Sequence, residues 1–533
     1  MKNPFKFIPP NKSSAFKVKK SSSQKEPKYD KTDELSLSFD KNLNKLKYFL
    51  HYPENIDVKI REFETKINNN SYHSAIFFYD GMVDSEIINN FILRELMRNV
   101  AINDNEDLEK TIVNNILSQN QIIIESKFED IINSLLNGNC LLLIDTLCSA
   151  IICDTKKLPQ RSIEKSENEM TTQGPVESFV ESIRINTSLI RKYVKDSDLV
   201  FEDIMIGNRG KTTCTIGYIS SIANDSIKNE VKRRISSIDV DYILDLGQLE
   251  QFIEDKTYIT SPVILSTEKP DRVASHLFEG RIAIMLAGSP NALIVPAVLL
   301  DFMHTSEDMY KRFPYSTLTR LFRIPAVALS ILLPGLYIAI VTFHQEMLPT
   351  DLLFALAGAR EKVPFPLLLE LLIMEVAFEI IREASIRTPA PIGPTLGIVG
   401  TLILGQAIVG ANVVSPILII IVALTGISSF AVANFALNFS FRILRFAYIF
   451  LGAFAGFFGI SLGLVVHVCM LATTTSFGVP YLSSYTPNFN TTANSDMANV
   501  PIWKQENRPD FLKPKKIKRQ PKISRKWILN SKE

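Results

Sequence analysis

Residues 388–441 read TPAPIGPTLGIVGTLILGQAIVGANVVSPILIIIVALTGISSFAVANFALNFSF, 54 positions without a single Asp, Glu, Lys or Arg. A helix needs about 20 apolar residues to cross a bilayer, so the stretch divides into two membrane helices joined by a tight turn. Asn412, Ser415 and Pro416 are turn formers, and Ile417 opens the second apolar run. In the first run Gly393, Gly397, Thr401 and Gly405 recur at every fourth position. That spacing puts four small side chains on one helix face and lets a neighbouring helix come close.

Outward from this stretch the chain changes character. Of its 533 residues, 1–320 form a charged sequence of soluble appearance, and 321–480 hold nearly all the long apolar runs. With 58 Lys and Arg against 56 Asp and Glu, the net charge of +2 gives no footing for nucleic-acid binding. Cys140, Cys148, Cys153, Cys214 and Cys469 show no CxxC spacing and no companion histidines. Neither a metal site nor a disulfide framework is indicated, and buried free thiols are expected. Lys, Ser and Pro interrupt the first apolar runs, so no export signal is read at the amino terminus and the first half is expected in the cytoplasm.

Composition and periodicity divide the soluble half. Residues 1–38 are expected to be a disordered basic tail. A first α/β subdomain is expected over 39–155, from a strand-like run at 75–79, an Asp80-Gly81 turn, helical spacing over 87–100 and compact apolar runs at 140–144 and 150–153. A polar linker follows, and 174–310 reads as a second α/β subdomain. Its strand candidates are 212–219, 242–244 and 282–286, with a charged helix at 227–235. Gly210-Lys211-Thr212 imitates a phosphate-binding loop, but Met205 stands where the motif wants glycine and a strand follows where it wants a helix. No nucleotide or other cofactor is expected, and no nucleophile elbow or metal-ligand cluster points to an enzyme.

An all-α polytopic membrane domain is expected over 311–487, with four or five helices near 324–343, 364–387, 392–411, 415–437 and 446–470, and a basic tail over 488–533. Lys311, Arg312, Arg320 and Arg323 precede the first helix, and the segment 503–533 carries eleven basic against three acidic residues. By the positive-inside rule both lie in the cytoplasm, which requires an even number of crossings. Segment 364–387 carries Glu370, Glu375, Glu379, Arg382, Glu383 and Arg387, and each charge at bilayer depth costs about 2.5–3.5 kcal/mol. Either the segment spans, its charges lining an aqueous path or meeting a partner, or it lies in the interface with Glu379–Arg382 and Glu383–Arg387 as helical ion pairs. The interfacial reading gives four crossings but leaves Arg442 and Arg445 on the outer side. Gly452-x-x-x-Gly456 and Gly459-x-x-x-Gly463 form a second close-packing surface, within one subunit or between subunits. His467 reads as a packing residue.

Several stretches together resemble a known family. GPVESFVESIRINTSLIR at 174–191, TEKPD at 267–271 and FEGR at 278–281 are similar to the soluble part of the A subunits of GerA-type spore germinant receptors. In the membrane half VPFP at 363–366, REA at 382–384, GIVG at 397–400 with Gly405-Gln406, VSP at 414–416, ISSF at 427–430 and SFGVPY at 476–481 fall in that family's order. The resemblance runs over about residues 70–487. It implies a nonenzymatic multi-pass subunit of a nutrient receptor in the inner membrane of a dormant spore, surrounded by lipid. The partners it implies are a transporter-like B subunit, a lipoprotein C subunit and further A subunits in a ring that passes cations. On that basis Glu370, Glu375, Glu379, Arg382 and Glu383 are ion-path or gating candidates. Gly393, Gly397, Thr401, Gly405, Gly452, Gly456, Gly459 and Gly463 are packing or oligomer-interface candidates. Ala287-Gly288 and the segment 431–434 depart from the usual pattern, which leaves open an accessory membrane protein or scaffold that works with the dipicolinate-release machinery.

Overall fold

The computed structural model describes residues 18–19, 29–68, 70–98, 108–157, 169, 173–387, 406–483, 501–522 and 524–525. Before the membrane half, one unit occurs twice. Helix α1 (Phe39–Phe49) leads into strands β1 (Val58–Ile67) and β2 (Asn70–Tyr79), then helices α2 (85–96) and α3 (108–116). Strand β3 (Ile122–Glu125), helix α4 (Phe128–Leu136) and strands β4 (Cys140–Ile144) and β5 (Ala150–Cys153) complete the first unit. The second opens with α5 (Ile183–Tyr193), β6 (Leu199–Ile206), β7 (Thr212–Ile219), α6 (Asp225–Ser236) and α7 (Leu246–Ile253). It closes with β8 (Leu265–Thr267), α8 (Pro270–Glu279), β9 (Ile282–Leu286) and β10 (Ala292–Val295). Both sheets are antiparallel, with orders β1-β2-β4-β5-β3 and β6-β7-β9-β10-β8.

Local chemistry repeats with the topology. Gly138 and Gly280, Ile144 and Leu286, and Ala150 and Ala292 each lie 142 positions apart. Both glycines follow their helices at positive φ, 89° and 100°, where a side chain would be strained. Asn42 of α1 accepts from Ser36 N at 3.0 Å and donates to Ser36 O at 2.6 Å. Asn186 of α5 does the same with Val180, at 2.9 and 2.6 Å. Each buried amide thereby fixes the chain entering its helix.

The first sheet is covered on both faces, and the period of two sorts its side chains. Phe77, Tyr79, Leu141 and Leu143 face α1 and α4, whereas Ile76, Leu142, Ile144 and Ile151 face α2 and α3. Arg191 joins the two units. Fully buried on α5, it bonds Asp57 at 2.6 Å and Leu199 O at 3.0 Å, with Tyr79's ring beneath it at 4.1 Å.

The structure corrects some expectations here. Residues 242–244 form no strand; Tyr242 makes an isolated bridge to Gly210. Tyr29 and Leu35, inside the expected tail of 1–38, pack on the first core, and Phe511 and Leu512 of the basic carboxyl tail are buried in the second. Cys140, Cys153 and Cys214 are buried free thiols, but Cys148 and Cys469 are exposed.

A neck of short α9 (Leu299–Met303) leads to α10 (Phe313–Phe343), α11 (Thr350–Arg360), α12 (Leu367–Arg387), α13 (Pro416–Ser429) and α14 (Phe435–Ala472). A two-stranded hairpin, β11 (Thr475–Ser476) and β12 (Val479–Pro480), follows. Among the described residues α10 and α14 are long and apolar enough to cross a bilayer, each with mean hydropathy 2.3. Helix α10 begins 11 residues before the expected 324. The helix expected over 415–437 stops at Ser429, and Asn434 starts the next one by accepting from Leu437 N at 3.1 Å. Helix α11 was not expected.

The neck ties this half to the second unit. Arg281 holds Asp301 through both guanidinium nitrogens and donates to Pro296 O at 2.9 Å. Asp308, fully buried, accepts from Arg323 of α10 at 2.6 and 2.9 Å. After α14 the chain returns to the same place: Ala297 N donates to Ser476 Oγ at 3.1 Å, and Leu299 N to Tyr481 O at 3.1 Å.

Candidate functional site

The expected single helix over 446–470 is a hairpin. Gly456 takes φ 58° and ψ −142° inside α14, a conformation open to glycine. In a straight helix Tyr448 and His467 would stand about 28 Å apart, yet Tyr448 Oη lies 3.4 Å from His467 Nδ1. The first arm (435–455) therefore turns back along the second (457–472). Where the reversal frees Phe457 N, that amide donates to His344 Nε2 at 3.3 Å, and the two rings stack at 4.5 Å. Gly459 and Gly463 press on Leu451 of the same helix, so this pair packs within the chain. Gly452 meets Gly335 of α10, where a Cβ would strike the Gly335 carbonyl. The motif 393–405 lies outside the described residues.

Contacts fix the directions of the helices. Ser330, Gly335 and Phe343 of α10 meet Arg445, Gly452 and Gly456 in order, so α10 and the first arm run parallel. Helix α12 runs against that arm, because Glu375 meets Arg445 and Glu379 meets Arg442. Helix α13 follows α12: Glu370 meets Ser415, Phe378 meets Gly426, and Arg382 meets Ser429.

The carboxylates of α12 thus pair between helices, and Glu379 also keeps the expected pair with Arg382 of its own helix. Glu370, fully buried, accepts from Arg360 of α11 at 3.2 Å and from Ser415 N at 3.2 Å. One and a half turns on, Glu375 Oε2 accepts from Arg445 Nη1 at 2.9 Å, and Arg445 Nε donates to Ser330 O at 2.8 Å. Glu375 is 0% exposed and Arg445 1%. Glu379 Oε2 accepts from Arg442 at 2.7 Å. Arg382 donates to Ser429 Oγ at 2.7 Å and stands 3.9 Å from Glu379, between the rings of Phe378 and Phe430. Glu383 is exposed.

Low polarity around these pairs strengthens each attraction and makes an unpaired charge costly. Glu375 Oε1, Glu379 Oε1 and Arg445 Nη2 are buried without a hydrogen-bond partner among the described residues. The ladder therefore keeps spare carboxylate oxygens on the α12 side. Carboxylates alone do not make a metal centre, and among the described residues no group of three His, Cys, Asp or Glu is placed to hold one. In the sequence Arg442 and Arg445 stood only as charges left on the outer side, and Gly335 and His344 were not singled out. Glu375 and Glu379, four apart, and Arg442 and Arg445, three apart, were the available sign of two charged faces that could meet.

A duplicated α/β unit joined through a buried neck to an apolar bundle with an internal ion ladder defines a membrane-associated two-part protein. Residues 44–511 match the family model described as Bacillus/Clostridium GerA spore germination protein. The chain belongs to this GerA family, and its role lies in spore germination. It is 39% identical over 470 residues to spore germination protein KA of Bacillus subtilis (strain 168), covering 88% of this chain and 86% of that one. Spore germination protein GerLA of Bacillus cereus is 35% identical over 466 residues, 87% of this chain and 94% of its own. The solved N-terminal domain of the A subunit of the Bacillus megaterium spore germinant receptor GerK3 is 31% identical, covering 50% of this chain and 98% of that one, with a TM-score of 0.38.

Proposed function

We propose that the chain is a nonenzymatic membrane subunit of a nutrient receptor that triggers spore germination, and that α12 and the first arm of α14 border a cation path in an oligomer of such chains. The observation that supports this is the Glu375–Arg445 pair, fully buried in an apolar bundle with Glu379–Arg442 one turn away. Ionised groups at membrane depth are rare, pair inside the bundle or face a water-filled cavity, and mark substrate or ion pathways, proton relays and voltage sensors. In the closed state each guanidinium occupies its carboxylate. In the open state the carboxylates turn their spare oxygens to a passing cation. Moving such an equilibrium from 1:99 to 99:1 takes about 5.5 kcal/mol of preferential nutrient binding, supplied through the assembled receptor, with a transporter-like B subunit and a lipoprotein C subunit as partners.

Orientation follows from the same geometry. Helices α10, α12, α13 and the two arms of α14 run in alternating sense, apart from the step between α12 and α13, and form five proposed membrane segments. The helix expected over 392–411 falls at that step, its residues 392–405 outside the described residues, and counting that expectation gives six. Both soluble ends then lie on the cytoplasmic face of the spore inner membrane, with α12 spanning.

The test is potassium release from spores exposed to single nutrients, with the gene intact and deleted. Early release lost for one nutrient upholds the receptor reading. Unchanged potassium release with slowed dipicolinate release overturns it in favour of an accessory role.

A further inference from the structure

The basic carboxyl-terminal segment is held in place as a strap. From 501 to 522 it carries eight basic and two acidic residues. Two buried side chains, Phe511 and Leu512, anchor it in the second unit's core. Arg508 Nε donates to Phe278 O at 2.6 Å and its Nη1 to Lys516 O at 3.1 Å. Lys515 donates to Ser220 O at 3.0 Å and pairs with Asp225 at 2.8 Å. Asn224 Nδ2 donates to Lys513 O at 2.9 Å. These bonds fix the backbone of the strap through its most basic run.

The remaining cations point outward. Lys504, Lys516, Lys518, Arg519 and Lys522 are exposed, as are Ile502, 62% exposed, and Trp503, 39%, just before Lys504, and Ile517, 52%, between Lys516 and Lys518. A cation array accompanied by an indole and two aliphatic side chains is the composition of a segment seated at a lipid headgroup boundary. Its position agrees. The short turn Asp510–Leu512 rests on β12, in the hairpin that directly follows α14, and Phe511 lies by Arg281 of the neck. The strap thus sits where the second unit meets the hairpin that follows α14.

We propose that the strap is a docking surface for anionic lipid headgroups of the leaflet facing the soluble units. Charge complementarity selects this occupant, since each Lys or Arg near an anionic surface favours attachment about fivefold. The exposed apolar side chains favour a bilayer over a nucleic acid, the other polyanion such a patch would meet.

The chain's two tryptophans are Trp503 and Trp527, so Trp527→Phe leaves one reporter on the strap. The full chain with this change is placed in nanodiscs of neutral phosphatidylcholine and in nanodiscs containing phosphatidylglycerol, each with bromine-labelled acyl chains. The expected result is Trp503 quenching in the anionic discs only, lost at about 1 M salt, where charges are screened beyond about 3 Å. Joint replacement of Lys516, Lys518, Arg519 and Lys522 by Gln removes the quenching, and replacement of the three lysines by Arg keeps it. Equal quenching in neutral and anionic discs overturns the proposal, as does its loss in both variant sets. A Trp503 response to a single-stranded DNA oligonucleotide without one to anionic lipid assigns the patch to nucleic acid and overturns it too.

Discussion

Helices α4 and α8 occupy the same place in the two units, yet their polar faces have opposite fates. On α8 and just before it, Lys269, Asp271, Arg272 and His276 are all buried. The residues 142 positions earlier are Lys127, Glu129 and Asp130, all exposed, and Ser134, half-buried. What buries the second set is the chain itself. Lys269 donates to Pro175 O at 2.8 Å, Arg272 to Asp301 O at 2.9 Å, and Tyr310 Oη to Asp271 at 2.7 Å. One fold therefore serves as an attachment base in its second copy and as a solvent-facing body in its first. A handful of charged side chains, not a change of topology, makes the difference.

This contrast breaks most readily at the neck. Arg281→Met strands Asp301 and should cost about 3–5 kcal/mol, whereas Asn139→Ala at the matching position of the first unit should cost about 1 kcal/mol. Thermal unfolding of the full chain in detergent measures both. Equal losses would mean that the two units are held alike. Next in size is Arg191→Met, expected to cost about 3 kcal/mol through the abandoned Asp57 and to raise hydrogen exchange at residues 55–57 and 199–201, where the units meet. Burial already pushes the Asp57 carboxyl above its usual range, against the lowering pull of Arg191. Asn42→Ala and Asn186→Ala sharpen the likeness: each removes the same two backbone bonds, Asn42→Ala one more from Ser36 Oγ, so each should cost about 1–2 kcal/mol, and a large disparity would deny that the two amides act alike.

The smallest effect depends on pH. Burial, with Glu254 nearby, pushes Glu250 up to about 7. Because the folded state holds this proton more tightly than the unfolded one, stability should fall as pH rises from about 4.5 to 7. Glu250→Gln should flatten that slope and add about 1 kcal/mol at pH 8, discounted for partial exposure. A slope unchanged by the substitution would assign the pH dependence elsewhere.

Strands buried on both faces were legible in the sequence, because β4 and β9 are unbroken apolar runs. Edge strand β1 was not: Lys59, Arg61, Glu62, Glu64 and Lys66 fill VKIREFETKI, and its order comes from pairing with β2. The duplication stayed hidden because 131–153 and 273–295 share four identities, Leu135/Leu277, Gly138/Gly280, Ala150/Ala292 and Ile152/Ile294. Apolar character repeats, not residue identity. In the membrane half the carboxylates Glu370, Glu375 and Glu379 stood out as anomalies, but Arg360, Arg445 and Arg442 lie on other helices and only the fold brings them together. Gly456 looked like one more packing glycine, since a positive φ leaves no trace in composition.

The most direct test of the ladder is the rate of nutrient-triggered potassium release from spores carrying Glu375→Gln, Arg445→Gln or both, at matched protein levels. The account predicts that each single change alters the rate, and that the double change is less severe than the two effects combined, because neither partner is left as an unpaired buried charge. Release indistinguishable from the unaltered protein in all three strains would contradict it.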